Sequence, residues 1–241
     1  MELTPGLHRI GNDIVAAYLV EDESGLTLID AGLAGQWSDL TAELKSMGRT
    51  PGDIRAIILT HGDTDHIGFA ERLRREFGVP VYVHTADAAR ARGEVKSKPT
   101  VGKVKLGPLL KFFGYAIAKR GMSTTYLTSV TDVADGQVLD APGAPQIIAL
   151  PGHSPGSIAV HVPRVDTVFV GDGLTTRHVL TGKVGPQPAP FTDDPAQAIE
   201  SLERLRKTGA KWVLTGHGAP WSEGVAAAID AVTEAYRTME K

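Results

Sequence analysis

The chain contains no cysteine, which removes disulfide frameworks, thiolate metal sites and cysteine nucleophiles together. It has no charge excess of either sign: the formal net charge is −3 over 241 residues, too little to hold nucleic acid or an anionic membrane through a global field. No apolar run approaches the length of a membrane span. The opening Met-Glu-Leu-Thr-Pro-Gly has neither the basic segment nor the apolar stretch of an export signal. The expectation is a cytoplasmic protein that acts on a small molecule, without a nucleic-acid partner or stable membrane association. The length suffices to bury a sizeable core, expected as one domain over residues 1–241.

Ligand-type side chains are present, and they are clustered. Thr60-His61-Gly62-Asp63-Thr64-Asp65-His66 places four of them within six residues, directly after the apolar run Ile54 to Leu59. A buried strand ending in such a cluster delivers its side chains to one point at a sheet rim. His61 and Asp63 are two apart and Asp65 and His66 adjacent, so a non-helical turn can aim one pair at each of two cations. Gly62 and Gly68 permit that turn. Three more candidates sit in glycine-flanked turns: His153 in Pro-Gly-His-Ser-Pro-Gly, Asp172 in Val-Gly-Asp-Gly and His217 in Thr-Gly-His-Gly. Seven imidazoles and carboxylates suit two divalent ions that share a water, with Asp172 the natural bridge. The pattern points to a dinuclear metallohydrolase.

Short apolar runs alternate with amphipathic stretches. Strands are predicted over 14–20, 26–29, 54–59 and 79–83, and helices over 37–47, 67–77 and 86–92. A second half is expected to begin near Val130 and repeat this order, with strands over 146–150, 157–162, 167–170 and 211–214 and helices over 195–208 and 224–237. Between the halves lies a basic insert at about 93–126. It carries Lys96, Lys98, Lys103, Lys105, Lys111, Lys119 and Arg120 against the single acid Glu94. Leu106, Leu110, Phe113 and Ile117 form a helical stripe there, expected to pack on the body while the lysines are solvated and the insert lids the site. The segment from Arg177 to Phe191 reads as a loop near the site mouth. Asp30 is expected to cap the turn after its strand. His84, His8 and His161 are read as peripheral to the chemistry, and Trp221 as a residue that either lines the pocket or caps the core.

The order and spacing of these motifs resemble the metallo-β-lactamase superfamily over nearly the whole chain. The resemblance implies an α/β fold, a four-layer αβ/βα sandwich with the helical insert at 93–126 and the site at one edge of two facing sheets. It implies that His61, Asp63 and His153 hold a first metal, that Asp65, His66 and His217 hold a second, and that Asp172 bridges them. The bridging hydroxide would attack an ester, thioester or lactone bond, with Asp65 as the catalytic residue that orients it and relays a proton. Asp63 departs from the pattern, because the family's motif has a histidine there. Zinc is the expected occupant, and the more anionic ligand set favours iron or manganese as its rivals. The family's diiron flavoproteins carry a carboxylate at this position, which keeps an iron-dependent oxidoreductase as the alternative beside a non-catalytic, ligand-sensing member. The tyrosine that the family's lactonases keep after the bridging aspartate is replaced here by Gly173-Leu174-Thr175-Thr176.

Overall fold

A computed structural model describes residues 1–96 and 102–239; Lys98 of the basic insert lies outside the described residues. The first sheet takes seven strands in chain order: β1 (Glu2–Thr4), β2 (Leu7–Gly11), β3 (Ala16–Asp22), β4 (Gly25–Ile29), β5 (Ile54–Ile58), β6 (Val81–His84) and β7 (Thr131–Val133). Its first four strands run antiparallel through short turns, and β4 to β7 run parallel. The remaining strands are β8 (Gln146–Ala149), β9 (Ile158–Val162), β10 (Thr167–Gly171), β11 (Thr175–Arg177), β12 (Val184–Gln187) and β13 (Trp212–Thr215). Of these, β13-β10-β9-β8 form the second sheet, with β10 and β13 parallel, and β11 and β12 pair as a separate hairpin. The helices are α1 (Trp37–Ser46), α2 (Ala70–Phe77), α3 (Ala88–Ala91), α4 (Leu106–Ala118), α5 (Pro195–Leu202) and α6 (Val225–Met239).

Period-two alternation makes the layers. On β3, Tyr18 and Val20 face the second sheet and meet Val160, Val162 and Phe169, whereas Ala17 and Leu19 face outward toward Leu40 and Leu44 of α1. Both faces are covered, so β3 reads as a continuous apolar run. The outer face of the second sheet, Val168, Val170 and Val213, packs on Leu202 of α5 and Ala228, Ile229 and Val232 of α6. The result is helix on sheet on sheet on helix. Full burial of a Leu, Ile or Phe side chain contributes roughly 1.5–3 kcal/mol, and the inner seam has polar pinning as well. Tyr18 hydroxyl donates to the Thr215 carbonyl at 2.8 Å, tying the centre of one sheet to the rim of the other.

Three expectations are corrected. β7 pairs with β6 in the first sheet, so the second half does not start near Val130; the sheets hold seven and four strands. Helix α2 starts at Ala70 rather than Ile67, because residues 60–69 are taken up by the ligand-bearing turn, and it ends at Gly78 in the left-handed region. The third concerns α4. Leu106, Leu110, Phe113 and Ile117 are 71%, 61%, 49% and 68% exposed, so the predicted stripe faces away from the body. The opposite face docks instead, with Phe112 and Tyr115 on Ile14, Val15 and Leu33. This helix is apolar nearly all round, so periodicity alone could not choose which side the body would cover.

Candidate metal centre

Strands β4, β5, β10 and β13 all end at the same edge of the sandwich, and the next one or few residues after each carry a polar side chain to that edge. β4 delivers Asp30, β5 delivers the 60–66 turn, β10 delivers Asp172 and β13 delivers His217; the turn after β8 adds His153. All seven predicted residues come together there. His61, Asp63 and His153 form one group in which the ligand-type atoms lie within 4.8 Å of each other; Asp65, His66 and His217 form a second; and His61, His66 and Asp172 span the two. Asp172 lies centrally, with its carboxylate oxygens 3.6 Å from His66 Nε2, 3.9 Å from His153 Nε2 and 3.1 Å from His217 Nε2. Gly216 leaves the room for this. A Cβ there would stand 2.4 Å from His66 Cε1 and 2.6 Å from Asp172 Oδ1.

Each imidazole is held by its far nitrogen. His66 Nδ1 faces Asp30 Oδ2 at 2.9 Å, and His217 Nδ1 donates to the carbonyl of Ile14. Thr60 Oγ1 donates to Asp30, so it accepts from His61 Nδ1 at 3.0 Å. Thr192 Oγ1 donates to the Ala189 carbonyl, so it accepts from His153 Nδ1 at 3.2 Å. With Nδ1 bound outward, Nε2 is the atom that each imidazole turns to the centre. Those of His61, His66 and His153, together with Asp172 Oδ1, are buried and have no hydrogen-bond partner among the described residues. Orphaned buried nitrogens are costly unless something else satisfies them. Four inward Nε2 atoms beside three carboxylates are a ligand set that fits divalent cations, which would displace any proton on Nε2, with the outer partners fixing the ring orientations.

The electrostatics of the two groups differ. Burial alone would lower His66, but Asp30, Asp172 and Asp65 push it up to about 10. His217 is likewise driven down by burial and raised to about 9 by Asp172 and Asp65. A place that draws protons onto two imidazoles draws cations by the same attraction. His61 moves the other way: burial, then repulsion from His66 and His153, holds it well below its ordinary value. Burial opposes the charge on Asp172, yet His217, His66 and His153 keep its carboxyl well below the usual range.

Asp63 has a partner that sequence reading did not foresee. Arg90, buried on α3, donates Nε to Asp63 Oδ1 at 2.5 Å and Nη2 to Oδ2 at 2.9 Å, and Nη1 to Asp193 at 2.8 Å. Asp63 Oδ2 still lies 3.4 Å from His153 Nε2 and 3.7 Å from His61 Nε2. Burial works against the ionised carboxyl, but His153, His61 and Arg90 outweigh it and hold Asp63 strongly lowered. Asp87 is a second unforeseen member. Fully buried, it accepts from Gly62 N, Ser154 Oγ and Gly156 N, each at 2.8 Å, and so ties the His61 turn to the His153 turn. Asp30 does more than cap a turn: it accepts Thr60 N at 2.8 Å and the Thr60 hydroxyl, and it braces two of the four imidazoles. No local pattern distinguishes Arg90 or Asp87 from other charged residues of a short helix. Only their partners identify them.

His84 is half-buried and accepts from Ala86 N at 3.3 Å, His8 pairs with Glu43, and His161 lies on β9, so all three stand apart from the centre. Trp221 packs on the outer core of the second sheet and donates to the Gly224 carbonyl at 3.0 Å, which makes it a core cap. The 177–191 segment does reach the site mouth. Its Phe191 joins Leu33, Phe112, Phe113, Met122 and Tyr126 in walling a cleft of about 460 Å³ whose polar floor includes Asp63 and Asp65.

Two sheets with helices outside, and a ring of histidines and aspartates at one sheet edge, make a candidate metal centre. The sequence profile of the metallo-beta-lactamase superfamily matches residues 10–217, and the chain belongs to that superfamily. It is 29% identical over 238 residues to the probable metallo-hydrolase YflN of Bacillus subtilis (strain 168), covering 91% of this chain and 86% of that protein. Among solved structures, a metallo-beta-lactamase family protein of Thermus thermophilus, TTHA1429, shares the fold at 19% identity with a TM-score of 0.72, covering 98% of this chain and 81% of that one. TTHA1623, solved in a di-iron-bound form, matches at 29% identity with a TM-score of 0.62, covering 91% and 96% respectively. Among the described residues no helix is long and apolar enough to cross a membrane.

Proposed function

We propose that this protein is a dinuclear metal-dependent hydrolase of small-molecule esters, thioesters or lactones. The reading rests on four imidazole Nε2 atoms and three carboxylates brought to one centre, in two groups of three that Asp172 joins. On this reading His61, Asp63 and His153 hold one cation, Asp65, His66 and His217 the other, and Asp172 both. The bound ions would supply Lewis acidity and hydroxide near neutral pH. The chain's own residues do the rest. Asp65, partly exposed and 3.5 Å from His217 Nε2, faces the cleft and is placed to orient a water and carry its proton toward the leaving group. Leu33, Phe112, Phe113 and Phe191 bind the apolar part of the substrate and exclude bulk water.

Zinc is the proposed occupant and iron the competitor. Asp63 supplies a harder ligand than imidazole, which favours iron, and Arg90 offsets that by drawing on the same carboxylate. A related chain is known in a di-iron-bound form, which keeps an iron-dependent redox activity as the second reading. The test is elemental analysis of the purified protein, followed by turnover of an ester, thioester and lactone panel after loading with zinc or with iron. Two equivalents of metal and hydrolysis that is lost in His66→Ala and Asp172→Ala support the hydrolase. Hydrolysis untouched by both substitutions refutes it, and oxygen uptake by the iron form without hydrolysis selects the second reading.

A further inference from the structure

A second cavity, of about 470 Å³, lies beside His217, between α4, the β2–β3 turn and the segment from Arg177 at the end of β11 onward. Among the described residues three cationic side chains wall it, Arg9, Lys111 and Arg177, against one carboxylate, that of Asp13. Asp13 is 3.0 Å from Arg9 and 3.5 Å from Arg177, so one anion is shared by two guanidiniums. Lys111 is exposed and has no carboxylate within ion-pair distance among the described residues. The cavity therefore has an excess of two positive charges, counting three cations against one anion. Arg9 Nη2 also donates to the Gly218 carbonyl at 2.7 Å, so the charge available to a ligand lies on Lys111 and Arg177. His178 is 7% exposed, and burial lowers its imidazole below the ordinary value. Ile14, Pro108, Phe112 and Val179 supply apolar surface.

The cavity adjoins the second ligand group through three contacts. The Ile14 carbonyl accepts from His217 Nδ1, Arg177 N donates to the His217 carbonyl at 3.2 Å, and the Phe112 ring lies 6.4 Å from the His217 ring. Phe112 walls both this cavity and the cleft over Asp65. We propose that the cavity binds a small organic anion, a carboxylate on a short apolar stem, and thereby seats the charged end of the molecule on which the metal centre acts. This rests on the hydrolase reading for its second half only. An excess of positive charge beside apolar walls, with Lys111 unpaired among the described residues and Arg177 only loosely paired at 3.5 Å, is the complement of such a ligand, and charge-assisted hydrogen bonds to a carboxylate are the strong ones.

The test is calorimetric titration of the metal-loaded protein with pentanoate and with its neutral counterpart pentanamide. Pentanoate is expected to bind at least about tenfold more tightly than pentanamide, and Lys111→Met and Arg177→Met are each expected to weaken it by about tenfold. Arg177→Lys should keep part of the affinity, which separates charge from fold, and Lys111 is exposed, so its substitution leaves the core intact. Equal affinity for the two probes, or pentanoate binding unchanged in both methionine variants because the carboxylate sits on the metals, overturns the proposal. Binding is read without turnover. A protein that binds pentanoate as described and hydrolyses nothing loses the function and keeps the site, and hydrolysis with unaltered binding does the reverse.

Discussion

The two ligand groups are built from the same kinds of side chain and reach opposite electrical states. Around His66 and His217 the carboxylates of Asp30, Asp65 and Asp172 have no cationic partner among the described residues other than the imidazoles, and both imidazoles are driven toward the charged form. Around His61 and His153 the local carboxylate, Asp63, is gripped at both oxygens by Arg90, and burial, then repulsion from His66 and His153, drives His61 toward the neutral form although Asp63 pulls the other way. A guanidinium a few ångströms from a divalent ion repels it by several kcal/mol even at an effective dielectric of about 20. A carboxylate in a ligand position that is already paired with a guanidinium offers a cation less of its charge. On the proposed reading, the Asp65-His66-His217 position fills first and binds more tightly, and the Asp63 position is the tunable one.

The largest effect should come from the residue common to both groups. Asp172→Ala is expected to drop metal content below two equivalents and to reduce kcat/KM for any hydrolysed ester by about 10³-fold or more, read by elemental analysis and steady-state kinetics. Next comes Asp30→Ala, which leaves every ligand in place and removes the brace behind His66 and, through Thr60, behind His61; metal affinity measured against a competing chelator should fall by about 10- to 100-fold. The contrast between the groups is then broken from the weaker side. Asp63→Ala should lose one equivalent of metal while the other stays, and Arg90→Met should strengthen that same weaker binding step, since the competing charge is gone. If Arg90→Met instead empties the position, orientation of Asp63 matters more than its charge, and the comparison must be redrawn.

The smallest effect comes from a carboxylate braced in the same manner away from the centre. Glu71 on α2 accepts Arg74 Nε at 2.7 Å and Nη2 at 2.8 Å and the Thr128 hydroxyl at 2.9 Å. The Arg74 hydrogen bonds, more than the opposing burial, lower its carboxyl below 4.5. A lowered carboxyl contributes stability that is complete above its unfolded value and lost as the pH falls through its folded one. Glu71→Gln should therefore destabilise the neutral-pH protein by about 1 kcal/mol, and the gap to the parent should close below about pH 4.5 in denaturant titrations. Metal content should not change, which makes this variant the control for the others.

Much of this molecule is legible along the chain, and the legible parts share a cause. Residues that act within one turn or one strand leave a local signature: the apolar run before Thr60, the crowding of His61, Asp63, Asp65 and His66, and the glycines beside His153, Asp172 and His217. The α/β layering follows from the same short-range alternation. What escaped reading depends on contacts between distant segments. Arg90 meets Asp63 and Asp193, 27 and 103 residues away. Asp87 meets Gly62 and Ser154, 25 and 67 away, and Asp30 meets His66 at a separation of 36. The stripe of α4 was misread because its apolar residues circle the helix, leaving the choice of buried face to Ile14, Val15 and Leu33. Which side chains can serve as ligands, and that strand ends present them, is set along the chain, because hydrophobic periodicity and turn chemistry are local. The charge state and bracing of each ligand come from the folded arrangement, because Coulomb forces and hydrogen bonds act through space and ignore separation along the chain.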